Sequence, residues 1–191
     1  MLESIVARIP LPSPAEMTPE QRRVYDAIIK GPRGAVVGPL RAALHRPELA
    51  EKWQQLGELL RYRTSLPPQI SEIAILVTAR RWRSQVEWHV HAIAAEQAGI
   101  APTVIAAIKC GRRPLEADVR ALAVHDYAVE LTGDGRVTPA TYDAVLQGWG
   151  VAGIVELTAL IGYYTMVAMT LNAHEIPLPA GVEPPFPTIL D

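Results

Sequence analysis

The sequence predicts an all-α fold, because its apolar residues recur at helical spacing and no segment alternates apolar and polar residues long enough to indicate a strand. The placement of the seventeen prolines supports this prediction. None lies within residues 69–101 or 140–176. Because proline disrupts a helix interior, these two stretches have room for long helices.

Capping residues and prolines mark where the predicted helices begin. The first begins after Thr18, with Gln21 completing a capping box, and runs to about Lys30. Proline is well tolerated in the first turn of a helix, so Pro47 and the pair at 67–68 mark the next two starts. The remaining helices are predicted at residues 85–98, 103–109, 115–131, 139–147 and 153–171.

The other prolines cluster near the two ends of the chain and predict extended, proline-rich arms over residues 1–17 and 177–191. A length of 191 residues fits one domain, since domains typically span about 100–200 residues. We therefore expect a single domain over residues 1–191, with its core at about 38–177. The arms are expected to lie across a neighbouring surface.

Composition and charge exclude several classes of protein. The 18 Lys and Arg residues are outnumbered by 20 Asp and Glu, which argues against a basic surface for nucleic acid. A single cysteine, Cys110, excludes an intramolecular disulfide, a Cys-x-x-Cys pair and a cysteine-rich zinc site. The N-terminal segment has no basic region followed by a long apolar run. We therefore expect a soluble, cytoplasmic protein that binds neither nucleic acid nor membrane.

Residues 150–171 are about as long as the roughly 20 apolar residues of a membrane-spanning helix, and they contain one charged residue, Glu156. Three threonines and two tyrosines interrupt the apolar run, and no Lys or Arg flanks it. We interpret this stretch as a buried core helix or a subunit-contact helix.

Three titratable residues on the third and fourth predicted helices form the candidate site. Glu87 and His91 are four residues apart and therefore share one face of a helix. Glu72 lies on an apolar stripe of the preceding helix, and a buried carboxylate needs a partner. His91 is the candidate partner if the two helices pack antiparallel across the turn near Arg83.

Structural roles for the same residues remain open at this point. Ser84-x-x-Glu87 has the form of a capping box, which would give both residues a role at a helix start. Glu72 has arginines 80, 81 and 83 within reach as salt-bridge partners, and His91 fits a hydrogen-bonded core histidine.

Glu72 is followed by Ser84, Glu87 and His91 at intervals of 12, 15 and 19 residues. Leu44-His45-Arg46-Pro47-Glu48-Leu49 lies upstream, and Asn172-Ala173-His174-Glu175-Ile176-Pro177 lies downstream. Over about residues 38–177 the chain resembles the carboxymuconolactone decarboxylase-like family, which includes the alkylhydroperoxidase D (AhpD) type. In its peroxidase members the same spacing is filled by a glutamate, a Cys-x-x-Cys pair and a histidine.

The resemblance implies an AhpD-like helical fold. The function that it implies depends on the positions at which this sequence departs from the peroxidase pattern. Thiol peroxidase chemistry needs one thiolate to attack a peroxide and a second thiol to resolve the product, and neither Ser84 nor Glu87 supplies one. Cys110 lies outside the motif. The Glu-x-x-x-His pattern looks closer to the decarboxylase branch. It implies a cofactor-free lyase, of the kind used in the catabolism of aromatic compounds, that acts on a small carboxylated or lactone-like metabolite.

Two alternatives stay open: an oxidoreductase of the peroxidase type, which the missing cysteines disfavour, and a non-catalytic binding or scaffold protein. In the lyase reading His91 is the general acid/base, since the pKa of histidine lies near neutrality, and Glu87 or Glu72 fixes its tautomer. Arg81 or Arg83 would clamp a substrate carboxylate. The candidate residues are His91, Glu87 and Glu72 for catalysis, and Ser84, Arg81, Arg83, Trp88, Tyr163 and Tyr164 for substrate binding.

No cofactor and no metal are predicted. Residues 148–153 spell G-x-G-x-x-G, but a helix rather than a strand precedes them, so a turn between helices is the better interpretation. His89 and His91 are two residues apart and point in different directions on a helix, and Glu87 with His91 supplies only two metal ligands. The resemblance also implies a homo-oligomer, a trimer or a hexamer.

Overall fold

The computed structural model describes residues 7–187, which form eight helices and no strand. The helices are α1 (Pro19–Lys30), α2 (Pro39–Ala43), α3 (Pro47–Tyr62), α4 (Pro68–Arg81), α5 (Gln85–Gln97), α6 (Pro102–Lys109), α7 (Val119–Asp134) and α8 (Pro139–Ala173). Six of them start with a proline, whose missing N–H is not needed in the first turn. The all-α prediction is confirmed. Residues 1–6 and 188–191 of the predicted arms lie outside the described range.

Helix α4 is the centre of the bundle and packs against α5, α6, α7 and α8. All ten residues from Ile70 to Ala79 are buried, so α4 has no solvent-facing stripe over that length. A helix that is buried on every side is typical of the core of a protein. The carboxyl group of Glu72 therefore lies in the core, where it needs a polar partner.

Two helices differ from the sequence prediction. The short helix α2 was not predicted, because five residues are too few to show a periodic pattern. Helix α7 begins four residues later than predicted, because the side chain of Asp118 accepts hydrogen bonds from the N–H groups of Arg120 and Ala121 and caps the helix there.

Helix α8 combines two predicted helices across a break at Gly150, whose φ of 68° lies in the left-handed region that favours glycine. The G-x-G-x-x-G letters therefore surround a break at one residue within a long helix, where the sequence predicted a turn between two helices, and a helix precedes them as predicted. By length and composition α8 is apolar enough to cross a membrane. In the structure one of its faces is buried in the core, while Val151, Val155, Met166 and Met169 are exposed.

The described part of the N-terminal arm lies across the ends of α8 and α2. The N–H of Arg8 donates to the carbonyl of His174 at 2.9 Å, and its guanidinium pairs with Glu175. Arg41 Nη2 donates to the carbonyl of Leu11 at 2.8 Å. The arm is therefore attached to the helical bundle through backbone carbonyls.

The C-terminal arm is attached through the start of α5. The Gln85 side chain donates to the carbonyl of Phe186 at 2.9 Å and accepts from its N–H at 3.0 Å. The Phe186 ring is buried and meets the Trp88 ring edge-on, with 5.2 Å between centroids.

Candidate active site

Glu72 and His91 form a buried pair between α4 and α5. Glu72 Oε2 lies 2.7 Å from His91 Nδ1, and both side chains are buried. The turn that brings the two helices together contains Arg83 at a φ of 48°. With a carboxylate at Nδ1, the imidazole is held with its proton on Nδ1 and with Nε2 left for chemistry. The pairing expected from the sequence is present.

Burial lowers the pKa of His91 below its ordinary value, and this effect outweighs the hydrogen bond and the charge of Glu72, which raise it. The charges of Arg61 and Arg33 lower the pKa further. The neutral imidazole is therefore the favoured form at neutral pH. The His91 ring also meets the Tyr164 ring edge-on, with 4.8 Å between centroids, and this contact helps hold the imidazole in place.

Glu87 lies one turn before His91 and is 2% exposed. Neither of its carboxyl oxygens has a hydrogen-bond partner within residues 7–187. Burial raises its pKa well above the ordinary value. Of the two glutamates that the spacing offered as partners of His91, Glu72 and not Glu87 therefore fixes the tautomer of His91.

The capping-box interpretation of Ser84 and Glu87 is wrong. Ser84 precedes α5, but its side chain makes no capping hydrogen bond to any described residue, and its Oγ is buried without a partner there. Glu87 turns toward the interior instead of back toward the helix start. The salt-bridge interpretation of Glu72 is also wrong, because the partner of Glu72 is His91.

A cavity of about 450 Å³ opens beside this pair. Glu87, His91, Tyr163 and Tyr164 line one side. The segment before α2 and the two ends of the chain also line it, with the apolar side chains Leu11, Val36, Val37, Ile176 and Leu178. Its volume is typical of small-molecule sites, which span about 300–1,000 Å³. The arms therefore form part of the wall of the site.

Two arginines that the sequence analysis did not select, Arg33 and Arg61, also line the cavity. Arg33 Nη2 donates to Tyr163 Oη at 3.3 Å, while its Nε is buried without a partner in the described chain. Neither arginine forms a salt bridge with a carboxylate among residues 7–187. A third arginine of the wall, Arg41, donates to the carbonyls of Leu11 and Pro12, so Arg33 and Arg61 are the two guanidinium groups left for a counter-ion that the described part of the chain does not supply.

Gly57 of α3 makes the Arg33–Tyr163 contact possible. A Cβ at this position would lie 2.0 Å from Tyr163 Oη and 2.2 Å from Arg33 Nη2, so only glycine leaves room for both groups. Burial raises the pKa of Tyr163 and of Tyr164. Both hydroxyls are therefore neutral donors at neutral pH.

Arg81 and Arg83 are not at this cavity, which corrects the expected carboxylate clamp. Both are exposed, and Arg81 Nε donates to the carbonyl of Thr132 at 3.1 Å. Arg81 lines a separate cavity of about 160 Å³ with Arg80 and His125. Since α4 rises about 1.5 Å per residue, Arg81 lies roughly 14 Å along the axis from Glu72.

Ser84 and Trp88 are not part of the cavity wall either. Trp88 is buried and packs against Phe186, so its role is to hold the C-terminal arm. Among the described residues, no group of three or more His, Cys, Asp or Glu side chains is placed to hold a metal ion. Cys110 is exposed and follows α6.

The helical arrangement defines the class of fold, which is that of the alkylhydroperoxidase AhpD core. A peroxidase-related protein from Ralstonia eutropha JMP134, described as an AhpD core, superposes with a TM-score of 0.74 at 17% identity, over 91% of this chain and 93% of that one. A peroxidase-related protein from Silicibacter sp. TM1040 gives a TM-score of 0.74 at 16% identity, over 91% and 92%. Both crystallised proteins are described as uncharacterized.

The debrominase Bmp8, crystallised as a cysteine-to-alanine variant with 2,3,4-tribromopyrrole, superposes with a TM-score of 0.69 at 10% identity, over 94% of each chain. No protein-family model matches the sequence, and no curated protein matches it either. At these identities the likeness shows the fold, and it confirms the helical fold that the sequence resemblance implied.

Proposed function

We propose that the protein is a cofactor-free lyase that uses acid/base chemistry on a small carboxylated or lactone-like metabolite. The observation that carries this proposal is a single cavity that joins the buried Glu72–His91 pair to Arg33 and Arg61, two guanidinium groups without a carboxylate partner in the described chain. A proton-transferring side chain and an anion-binding group are the two parts that such a reaction needs.

Arg33 and Arg61 bind the anionic end of the substrate in this proposal. A guanidinium holds a carboxylate through two parallel hydrogen bonds, and the partly buried position of both side chains strengthens the attraction. Tyr163, a neutral donor beside Arg33, adds a third hydrogen bond. These groups also stabilise the negative charge that develops on a dienolate oxygen once carbon dioxide leaves.

His91 carries the acid/base role, and Glu72 positions it. Because the Nδ1 proton is held by Glu72, Nε2 is the nitrogen that exchanges protons at the cavity. The arms and α8 contribute mainly apolar side chains to the cavity wall, which strengthens electrostatic interactions with the reacting groups.

The alternative functions receive less support. The names of the similar structures point to peroxidase-related and dehalogenating proteins, but this chain has no cysteine at either motif position. A scaffold protein would have no use for an open cavity that contains unpaired charged groups. The cavity therefore favours a binding or catalytic role over a purely structural one.

The test is ultraviolet-monitored turnover of γ-carboxymuconolactone and related lactone acids by the wild type and by His91→Ala. We expect turnover by the wild type and a fall in kcat of at least about 100-fold in the variant, the usual effect of losing a general acid/base. Turnover that is unchanged in His91→Ala would overturn the assignment of His91.

We also propose that the protein acts in the cytoplasm as a homo-oligomer, a trimer or a hexamer. The exposed apolar side chains along α8 (Val151, Val155, Met166 and Met169) support this proposal, since such a row is typical of a contact surface. Light scattering coupled to size-exclusion chromatography tests it, and a monomer at micromolar concentration would contradict it.

A further inference from the structure

We infer that Glu87 is a neutral carboxylic acid at the cavity wall and that it is the proton donor of the reaction. The second half of this inference rests on the proposed function. The first half, the protonated state of Glu87, stands on the geometry of the side chain and is independent of any substrate.

The geometry of Glu87 disfavours a negative charge. Its two oxygens are each buried from solvent and have no hydrogen-bond partner in residues 7–187, although the side chain lies at the edge of the cavity. An ionised carboxylate in that position would lose its hydration and gain nothing in return, whereas a neutral acid loses far less. Burial correspondingly raises the pKa of Glu87.

The other charged and titratable groups around the cavity do not reverse the preference of Glu87 for its protonated form. They are Arg33, Arg41, Arg61, His89, His91 and the two tyrosines, with Glu72 behind His91. Burial is the cause of the pKa shift of Glu87, and none of the arginines offsets it. The groups that α4 and α8 contribute here are Glu72 and the two tyrosines, so neither helix presents a cation to Glu87. A bound substrate carboxylate would disfavour the ionised form further.

Glu87 supplies the proton that His91 does not hold. The neutral imidazole carries its one proton on Nδ1, where it is hydrogen-bonded to Glu72, and has no second proton to give. When the carbon–carbon bond to the substrate carboxylate breaks, carbon dioxide leaves and the electron pair enters the dienolate. The O–H bond of Glu87 then breaks and a C–H bond forms, leaving Glu87 as a carboxylate. It regains a proton from water through His91.

The spacing of the sequence motif also supports the assignment of Glu87 as the proton donor. Glu87 occupies the position of the second cysteine of the peroxidase pattern, one helical turn before the histidine. A carboxyl group in this chain therefore stands where a thiol stands in that pattern. Both groups can carry a proton at this point of the cavity, but only the thiol can form a disulfide.

The protonated state is tested by infrared spectroscopy of the full chain at neutral pH. The carbonyl stretch of a neutral carboxylic acid is expected in the wild type and is expected to disappear in Glu87→Gln. Glu96→Gln, an exposed position on the same helix, is the matched control and should leave the band unchanged. A wild type without this band at neutral pH would overturn the inference, whatever the substrate.

The catalytic role is tested by turnover of the lactone acid. We expect Glu87→Gln to lower kcat by at least about 100-fold with KM little changed, as for the loss of a general acid, and Glu87→Asp to restore part of the activity. An unchanged kcat in Glu87→Gln would reject the donor role and leave the lyase proposal intact. If the wild type turns over no lactone acid, the proposed function fails and the donor role fails with it, while the infrared result still decides the protonated state.

Discussion

Two buried histidines contact carboxylates through Nδ1 near opposite ends of α4, and their surroundings differ. His91 lies 2.7 Å from Glu72, and His125 lies 2.9 Å from Asp126. Each pair has arginines at a neighbouring cavity, Arg80 and Arg81 beside His125 and Arg33, Arg41 and Arg61 beside His91. At His125 the polar groups are paired: Asp126 also accepts two short hydrogen bonds from Arg113 Nε and Nη2.

The arginines show the same contrast. Arg80 Nε and Arg81 Nε donate to carbonyls in the last turns of neighbouring helices, and these bonds join α4 to α6 and α7. At the other cavity the Nε of Arg33 and both oxygens of Glu87 have no partner in the described chain. Buried polar groups are usually paired, so unpaired groups that line a cavity are available to a bound ligand. The residue types alone do not distinguish the two regions.

Substitution of the two histidines by glutamine gives the largest expected difference in activity between the two regions. In His91→Gln we expect kcat to fall by at least about 100-fold, because Nε2 is lost from the cavity. In His125→Gln we expect kcat to be unchanged, with a fall in the free energy of unfolding of about 1–3 kcal/mol. Steady-state kinetics and urea denaturation check both outcomes. Equal losses of activity in the two variants would remove the contrast between the regions.

Paired arginine substitutions give the next largest effect. Arg33→Gln with Arg61→Gln should raise KM for a carboxylated substrate by roughly 10-fold or more, since each charge-assisted hydrogen bond contributes about 1.5–3 kcal/mol. Arg80→Gln with Arg81→Gln should leave KM unchanged and lower the melting temperature. Arg83→Gln, an exposed position, controls for the change in net charge. A rise in KM in the Arg80 and Arg81 variant would contradict the assignment of the cavities.

The stability of the chain should depend on pH through Glu87. A carboxyl group whose pKa is raised by folding stabilises the native state fully below the ordinary value of 4.5 and progressively less as pH rises toward the raised pKa. Wild type should therefore lose stability relative to Glu87→Gln above about pH 4.5, by at most about 1.4 kcal/mol per pH unit. Urea denaturation at several pH values measures the difference. A difference that does not change with pH would show that Glu87 titrates normally.

Two glycine-to-alanine exchanges give the smallest effect and test the packing behind Arg33. Gly57→Ala should displace the Arg33–Tyr163 contact, raise KM a few-fold and lower stability, because its Cβ has no space. Gly162 of α8 has nothing within 4 Å of a Cβ, so Gly162→Ala should raise the free energy of unfolding by about 0.5–1 kcal/mol through helix propensity. Thermal and urea denaturation distinguish the two. Stabilisation by Gly57→Ala would show that the contact is not tightly packed.

Local patterns predicted most of the fold and half of the site. Proline positions and apolar spacing locate seven of the eight helices, and the intervals from Glu72 to His91 place both on facing helices. Arg33 and Arg61 have no such relation to the motif, since one lies in the segment after α1 and the other near the end of α3. Only the packing of three distant segments brings them to the cavity.

The wrong predictions for site residues also arise because packing between distant segments cannot be deduced from local sequence. Arg81 and Arg83 are close to Glu72 in sequence, but they lie past the end of α4 or in its last turn, away from the cavity. The letters of Ser84 and Glu87 satisfy a capping box, but the face of α5 that carries Glu87 and His91 is buried. Burial of a helix face depends on which neighbour covers it, and the sequence of one helix does not contain that information.

The central claim, that an anion binds between Arg33 and Arg61, is tested most directly by nuclear magnetic resonance of the arginine side chains. The Nε–H signals of the wild type would be followed while γ-carboxymuconolactone is added, with assignments from single arginine-to-lysine variants. We expect the signals of Arg33 and Arg61 to shift with saturation, while those of Arg80 and Arg81 stay in place. Shifts at Arg80 and Arg81 without shifts at Arg33 would contradict the account.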